Sequence, residues 1–268
     1  MQQRERYTLG HHPSVLRTHS WRTVENSAAH LLPHLRPGQR VLDLGSGPGT
    51  ITLDLARIVA PGDVIGVDAS ADVVDHATKL AADAGVVNVA YRTGDAYALD
   101  LPDDSVDVAH AHQLLQHLAD PVAVIRELHR VVKPGGVIAL RDVIYGGAVW
   151  YPLQPGLTRW MDVYQELSRA NGGEPDAGSR LKAWALEAGL TDVVSTASVW
   201  CFTDETDREW WGGAWAERAR SSSFATQALE TGIATSEDLD VIGSAWEQWV
   251  ADEHGWFAVP HGEIIAIV

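Results

Sequence analysis

Residues 41–50 read VLDLGSGPGT, and this stretch decides the fold. Four residues of buried-strand character, Val41–Leu44, run directly into three glycines at alternate positions. Glycine permits a sharp turn and lets the backbone approach a ligand closely. A helix predicted to begin at Thr50 would offer free backbone N–H groups at its N-terminus. The pattern therefore predicts a strand, a tight turn and a helix that together bind a nucleotide or nucleoside.

Around this stretch, short β-branched runs alternate with helical patterns from residue 40 to residue 143. We predict strands at Arg40–Leu44, Asp63–Val67, Asn88–Thr93, Val106–His112 and Gly136–Val143. We predict helices at Thr50–Ala60, Ala71–Ala84 and Pro121–Val132. Such alternation implies an α/β fold, in which a parallel sheet carries helices on both faces.

The pattern changes after Tyr145. Helices are predicted at Gly156–Ala170 and Ser179–Ala188, followed by a strand at Thr191–Phe202. Residues 204–254 are helical and polar, with breaks at Gly212-Gly213 and Thr231-Gly232, and residues 257–268 return to strand. A strand, a helical stretch and a final strand indicate an insertion within the sheet. At the other end, a helix capped by Ser20 is predicted over SWRTVENSAAHLLPHL.

The composition of the chain limits the kinds of substrate and partner that it is expected to bind. The chain of 268 residues has 36 acidic and 20 basic side chains, a formal net charge of −16, so nucleic acid is not expected as a substrate. One cysteine, Cys201, excludes a disulfide framework. No signal peptide or bilayer-length apolar run is evident, which predicts a cytoplasmic protein without membrane insertion. Ten of the 11 tryptophans fall between Trp150 and Trp256, where they could form core, an aromatic pocket or a homodimer face.

Two further acidic residues lie at predicted strand ends. Asp68 closes the second strand, where its carboxylate can accept two hydrogen bonds from a ribose diol. Asp95 follows the third strand and could accept from an exocyclic amine. Open α/β sheets bind ligands at this edge. A dinucleotide fingerprint would need glycine at position 50, where this chain has Thr50.

Together these motifs resemble the class I S-adenosylmethionine-dependent methyltransferases. DLGSGPG reads as the family's acidic-x-Gly-x-Gly-x-Gly loop, VDAS as its ribose-binding strand end, GDA as its adenine-side motif and LHRVVKPGGVIAL as its helix, turn and fifth strand. Within the family, the chain looks most like the small-molecule branch that includes the quinone-biosynthesis C-methyltransferases.

The resemblance implies a Rossmann-like open, mostly parallel sheet with an antiparallel last strand. It divides the chain into an N-terminal helical lid (1–35), a cofactor-binding core (36–203), a helical cap insertion (204–254) and a final core strand (255–268).

The resemblance also implies that the cofactor is S-adenosylmethionine. The residues expected to hold it are Asp43, Gly45, Ser46, Gly47, Asp68, Ala69, Gly94, Asp95, Ala96, Ala111 and His112. Asp43 would lie near the cofactor's amino group and Asp68 would bind the ribose. Asp95 would accept from the adenine amine, and His112 or the Ala111 carbonyl would face the methionine end.

The acceptor should lie beyond the fourth and fifth strands, where the candidates to contact it are His112, Gln113, His117, Arg141, Asp142 and Tyr145. His112 is the first candidate for a general base, since the usual histidine pKa lies near neutral pH. Tyr7 and His11, with His12, join the site if the leader folds over it. Arg141 could hold an anionic acceptor or simply pair with a neighbour. His110 and His112 share a strand face, but without an evident third ligand we expect no metal.

These features predict methyl transfer to a small, partly apolar or aromatic organic acceptor by in-line displacement. Two alternatives stay open on the sequence: a protein that binds the cofactor without methylating, as a cyclase or regulator, and an NAD(P)-dependent oxidoreductase. Thr50 argues against the second alternative.

Overall fold

A mixed sheet forms the centre of the structure, a computed structural model that describes residues 7, 8, 19 and 21–268. The strands are β1 Val41–Leu44, β2 Val64–Asp68, β3 Val89–Thr93, β4 Val106–His112, β5 Val132–Val143, β6 Val149–Tyr151, β7 Asp192–Phe202 and β8 Trp256–Ile267. Within residues 21–268 the α-helices are α1 Val24–Ser27, α2 Thr50–Val59, α3 Ala71–Asp83, α4 Pro121–Val131, α5 Pro155–Ala170, α6 Leu181–Glu187, α7 Glu205–Ser221, α8 Ser223–Thr231 and α9 Ser236–Ala251. The predicted α/β alternation is confirmed.

The strand order is β3-β2-β1-β4-β5-β8-β7, with β1 to β5 parallel. β8 runs antiparallel to both β5 and β7, so the predicted antiparallel last strand is confirmed. The short strand β6, which we did not predict, pairs with the beginning of β8. β5 begins at Val132 rather than at Gly136, because Val132 already pairs with Val106 before the register shifts.

Alternate residues of each central strand face opposite layers of helices. In β1, Val41 packs with α1 and α2, whereas Leu42 packs in the layer that holds α4 and α6. Leu44 pairs with Val67 on one side and with Ala111 on the other. The loops that follow β1, β2 and β4 therefore meet at one edge of the sheet.

The N-terminal helix differs from its prediction. Within residues 21–35 only Val24–Ser27 is α-helical, capped by Thr23 through a capping box with Asn26, and a 3₁₀ helix follows at Ala29–His34. Ser27 donates to the Asn26 side chain, a local bond of the kind that competes with a continuing helix. Residues 24–35 pack against the sheet rather than over the site. The predicted cap Ser20 lies outside the described residues.

A second, aromatic core joins the helices between β7 and β8 to α5. Trp160, Trp215, Trp246 and Trp249 are fully buried in it, which supports the core interpretation of these tryptophans. The predicted break at Gly212-Gly213 is wrong: α7 runs through both glycines, and only Gly232 ends a helix. None of the described helices is long and apolar enough to cross a membrane.

Candidate active site

The glycine loop, residues 45–49, makes the tight turn after β1. Gly45, Gly47 and Gly49 have φ angles of 72°, 54° and 91°, which glycine adopts without strain. The Gly45 N–H donates to the Val67 carbonyl at 2.7 Å, which joins the loop to β2. No side chain caps the N-terminus of α2, so its N–H groups remain available at this edge.

Asp68 lies at the end of β2, and its carboxylate holds the site together. Oδ2 accepts from the Gly47 N–H and Oδ1 from the Ser70 N–H, both at 3.0 Å. The carboxylate therefore joins the glycine loop to the start of α3. Each oxygen can still accept another hydrogen bond, so Asp68 retains the capacity to bind a diol.

A cavity of about 670 Å³ lies over the glycine loop, within the size range of small-molecule sites. It is lined by most of the residues predicted to hold the cofactor: Asp43, Gly45, Ser46, Gly47, Asp68, Ala69, Gly94, Asp95, Ala96 and His112. Ala111, also predicted, is buried in β4 and does not line the cavity. The Ser46 hydroxyl is buried there without a hydrogen-bond partner, as expected where a ligand would supply one.

Asp43 lines the cavity and has partners within the protein that the sequence did not reveal. It is buried beneath the glycine loop, where Oδ1 lies 2.7 Å from His110 Nδ1 and Oδ2 accepts from the Thr52 hydroxyl at 2.6 Å. Its main partners are thus within the protein. His110 therefore pairs with Asp43 and not with His112. Among the described residues, no three His, Cys, Asp or Glu side chains are grouped as a metal site.

Asp95 lies at the more exposed end of the cavity. Its Oδ1 accepts from the Tyr97 N–H at 2.9 Å and thereby forms a local turn. The preceding Gly94 packs closely on β2, since a Cβ there would lie 2.8 Å from Val67 Cγ1. The turn presents Ala96 and Tyr97 to the cavity.

Comparison with known proteins shows the family to which this chain belongs. The sequence pattern of the methyltransferase domain family matches residues 35–182, more than half of the chain. An uncharacterized methyltransferase of Schizosaccharomyces pombe is 33% identical over 270 residues, which cover 97% of this chain and 95% of that protein. The chain belongs to the methyltransferase domain family. Its cofactor is S-adenosylmethionine, as predicted, and the oxidoreductase alternative is excluded.

Two further comparisons bear on branch and fold. A ubiquinone/menaquinone biosynthesis C-methyltransferase of Shewanella baltica is 29% identical over 189 residues, covering 65% of this chain and 72% of that protein. The crystal structure of the YcgJ protein of Bacillus subtilis superposes with a TM-score of 0.60 and 23% identity, covering 91% of this methyltransferase and 98% of that chain. The predicted resemblance to the small-molecule branch and the Rossmann-like fold are confirmed.

His112 ends β4 at the cavity wall, but in a state that the sequence did not predict. It is 5% exposed, and its Nδ1 lies 3.4 Å from Arg141 Nη1. Burial, followed by the charges of Arg22 and Arg141, lowers the pKa of His112 well below its usual value. The imidazole is therefore neutral and a weak base at neutral pH, which removes the reason for choosing it as the general base. Its Nε2 has no partner among the described residues.

Arg141 is not where an acceptor-binding residue would lie. It is 1% exposed, and its Nε lies 3.2 Å from Glu263 Oε1 and 3.1 Å from Ser198 Oγ. Its guanidinium lies over the ring of Trp200, 4.9 Å from the centroid. Arg141 lines neither of the two cavities described here. Of its two predicted roles, the pairing with a neighbour is the one observed.

The leader reaches the site through Tyr7. The phenol ring packs edge-on against His117, with centroids 4.7 Å apart, and burial raises the pKa of Tyr7 to about 12. Tyr7 is thus a neutral phenol in this methyltransferase. His11 and His12 lie outside the described residues.

A second cavity, of about 30 Å³, shares Tyr7, His19, Arg22, Gln113 and His117 with the first. Its other walls are Gln116, Tyr145, Trp200, Trp210, Trp211 and Arg218. Sequence reasoning named Gln113, His117 and Tyr145 as acceptor-side candidates but missed Arg22, which no local motif marks.

Gln113 connects the two cavities in a conformation that its sequence does not reveal. Its φ of 52° lies in the left-handed region, which is uncommon for a residue other than glycine. Its Oε1 accepts from Arg22 Nη2 at 2.5 Å, and its Nε2 lies 2.8 Å from His261 Nε2. Backbone strain of this kind is frequent at functional sites.

Proposed function

We propose that this methyltransferase transfers the methyl group of S-adenosylmethionine to a small, partly apolar or aromatic organic acceptor. One observation supports this proposal above the others: the cavity over the glycine loop shares Arg22, Gln113 and His117 with a second cavity that has aromatic walls. The larger cavity suits the cofactor, and the smaller one lies at the end where His112 and Gln113 close it. At about 30 Å³ the smaller cavity holds only part of an acceptor, so the acceptor would lie where the two cavities meet and face the methionine end of the cofactor.

The residues of the larger cavity fit the cofactor chemically. The unpartnered Ser46 hydroxyl and the uncapped N–H groups at the start of α2 suit the methionine part. Asp68 has the acceptor capacity that a ribose diol needs, while Ala69 and Ala96 offer small apolar contacts for adenine. Asp95, at the exposed end, would accept from the adenine amine. Asp43 would act by fixing the loop from below.

S-adenosylmethionine supplies an already activated methyl group, so the protein has mainly to align the acceptor and to exclude water. Alignment can supply on the order of 7–11 kcal/mol of the barrier. The buried side chains of Trp200 and Trp211, on one side of the second cavity, would keep water from the reacting atoms. Arg141 Nη1 can only donate to His112 Nδ1, so the neutral imidazole carries its proton on Nε2. His112 would therefore donate a hydrogen bond to the acceptor through Nε2 rather than remove a proton in advance.

Several finer statements belong to the same proposal. The net charge of −16 favours a free small molecule over nucleic acid as the acceptor. We also propose a cytoplasmic location and allow for a homodimer. The division into lid, core, cap and final strand is proposed with two changes. Helix α5 joins the cap because it shares its aromatic core, and residues 24–35 join the core because they pack against the sheet.

The test is a transfer assay with methyl-labelled S-adenosylmethionine across phenols, hydroxybenzoates and quinols. We expect label in an organic product together with an equal amount of S-adenosylhomocysteine, and neither without an acceptor. Tight binding of S-adenosylhomocysteine with no labelled product across the panel would contradict the acceptor class and favour the non-methylating alternative.

A further inference from the structure

The second cavity has an excess of positive charge. Arg22 and Arg218 both line it, and none of its described lining residues is Asp or Glu. In a chain with a formal net charge of −16, such a concentration of cations at one site is unlike the chain as a whole. A cavity with this lining attracts anions.

Arg22 is the most informative of these cations. Nη2 donates to the Gln113 side chain, and the guanidinium carbon lies 5.7 Å from the Trp200 ring centroid. Its Nε is buried and has no partner among the described residues. The carboxyl of Asp142 acts on Arg22, but burial raises the pKa of Asp142 to about 8, so this carboxyl is largely protonated at neutral pH. Burial lowers the pKa of Arg22 to about 10, so it keeps its charge at neutral pH. A buried charge without a counter-ion is costly, which indicates that a ligand supplies the anion.

Two further polar groups in the same walls have no partner. Trp211 Nε1 and Gln116 Oε1 are buried in residues that are 5% and 3% exposed. Buried polar groups are nearly always hydrogen-bonded, so both point to a polar ligand. Arg22 Nε and Trp211 Nε1 are donors and suit an oxyanion, whereas Gln116 Oε1 is an acceptor and would need a donor from the ligand, such as a hydroxyl.

We propose that an acidic aromatic acceptor binds where the two cavities meet, because the second cavity alone, at about 30 Å³, is too small to hold one. Arg22, which lines both cavities, holds the carboxylate or phenolate oxygen of this acceptor and so determines specificity. This inference rests on the proposed function and names its substrate class. An anionic acceptor would also lie between two cations, the Arg22 guanidinium and the cofactor's sulfonium, and would neutralise their repulsion.

The cofactor itself carries a carboxylate, and the position of Arg22 distinguishes the two sources. Its guanidinium lies beside Trp200, which lines the second cavity and not the first. The glycine loop, where the methionine part belongs, is a wall of the first cavity alone. The geometry therefore favours the acceptor's anion.

The experiment is calorimetric titration of matched probes into the protein saturated with S-adenosylhomocysteine. The probes are benzoate, 4-hydroxybenzoate and 2-naphthoate, each against its primary amide. We expect the anions to bind at least about tenfold more tightly than the amides, since a hydrogen bond to a charged group is worth about that much. In Arg22→Gln this preference should fall below about threefold, whereas Arg22→Lys should keep part of it.

Arg57→Gln is the matched control, because Arg57 is exposed on α2, pairs with Asp54 and lines neither cavity. It should leave the preference unchanged. Two results would overturn the inference: no anion preference in the wild type, or a preference that survives Arg22→Gln. The inference would also be overturned if Arg22→Gln weakened the binding of S-adenosylhomocysteine but left the binding of its decarboxylated analogue unchanged, because Arg22 would then hold the cofactor's own carboxylate. Failure of the wild type to bind S-adenosylhomocysteine at all would contradict the proposed function instead.

Discussion

Asp68 shows how one side chain serves both structure and binding. The sequence marks it as a strand-end carboxylate, and the structure adds that it holds the Gly47 and Ser70 N–H groups. Arg141 shows the opposite outcome. Its position in the sequence suggests a ligand contact, but its guanidinium already forms an ion pair with Glu263. For both residues, the partners of the charged group decide what remains for a ligand.

We predict that Asp68→Ala weakens S-adenosylhomocysteine binding by about 1.5–3 kcal/mol, because charged hydrogen bonds to the ribose are lost and the glycine loop is released. Calorimetric titration measures the loss. Asp72→Ala, which removes the same charge from an exposed position on α3, should leave the affinity unchanged. Equal affinities for Asp68→Ala and the wild type would refute the ribose assignment.

Helix α7 shows that adjacent glycines can have unlike surroundings. The pair Gly212-Gly213 looks like a helix break in the sequence, yet α7 continues through it. A Cβ on Gly212 would lie 2.5 Å from Val250 Cγ2 and 2.9 Å from Trp249 Cε3, whereas one on Gly213 would meet nothing within 4 Å. Gly212 is thus required where α7 packs on α9, and Gly213 is not.

Alanine at these two positions should therefore have opposite effects. We expect Gly213→Ala to raise the free energy of unfolding by about 0.5–1 kcal/mol, because alanine favours a helix over glycine. Gly212→Ala should lower it by about 1–3 kcal/mol through overpacking. Urea denaturation compares the two variants. Changes of the same sign would show that the α7–α9 contact does not depend on Gly212.

The molecule as a whole buries many ionisable groups near the sheet edge. Burial lowers the pKa of His30 to about 4 and that of His117 to about 3, and lowers those of His112 and His261 well below the usual value. Burial raises the pKa of Asp142 to about 8. Each of these shifts makes folding stability depend on pH.

We predict that the protein loses stability as the pH falls from about 7 to 5.5. Below about 6.5, each of the four histidines binds a proton when unfolded but not when folded, which costs up to about 1.4 kcal/mol per pH unit for each. Asp142 acts oppositely, since it is protonated only in the folded state over this range, but it is one group against four. Urea midpoints at the two pH values measure the net effect.

His117→Gln should make this pH dependence shallower, because glutamine does not titrate. A midpoint that rises on acidification would contradict the predicted histidine shifts. A slope in His117→Gln equal to that of the wild type would show that His117 is not among the groups responsible.

The sequence alone determined the glycine loop, the succession of β1 to β5 along the chain, the strand-end acids and the cofactor class. These follow from short-range patterns, because a glycine-rich turn and the alternation of strand and helix are local properties. Only the tertiary structure decided that Arg22 donates to Gln113, 91 positions further along the chain, that Glu263 forms an ion pair with Arg141 and that His112 is neutral. Charge state and ligand contacts depend on burial and on partners far along the chain, and no local pattern specifies which distant side chains will meet.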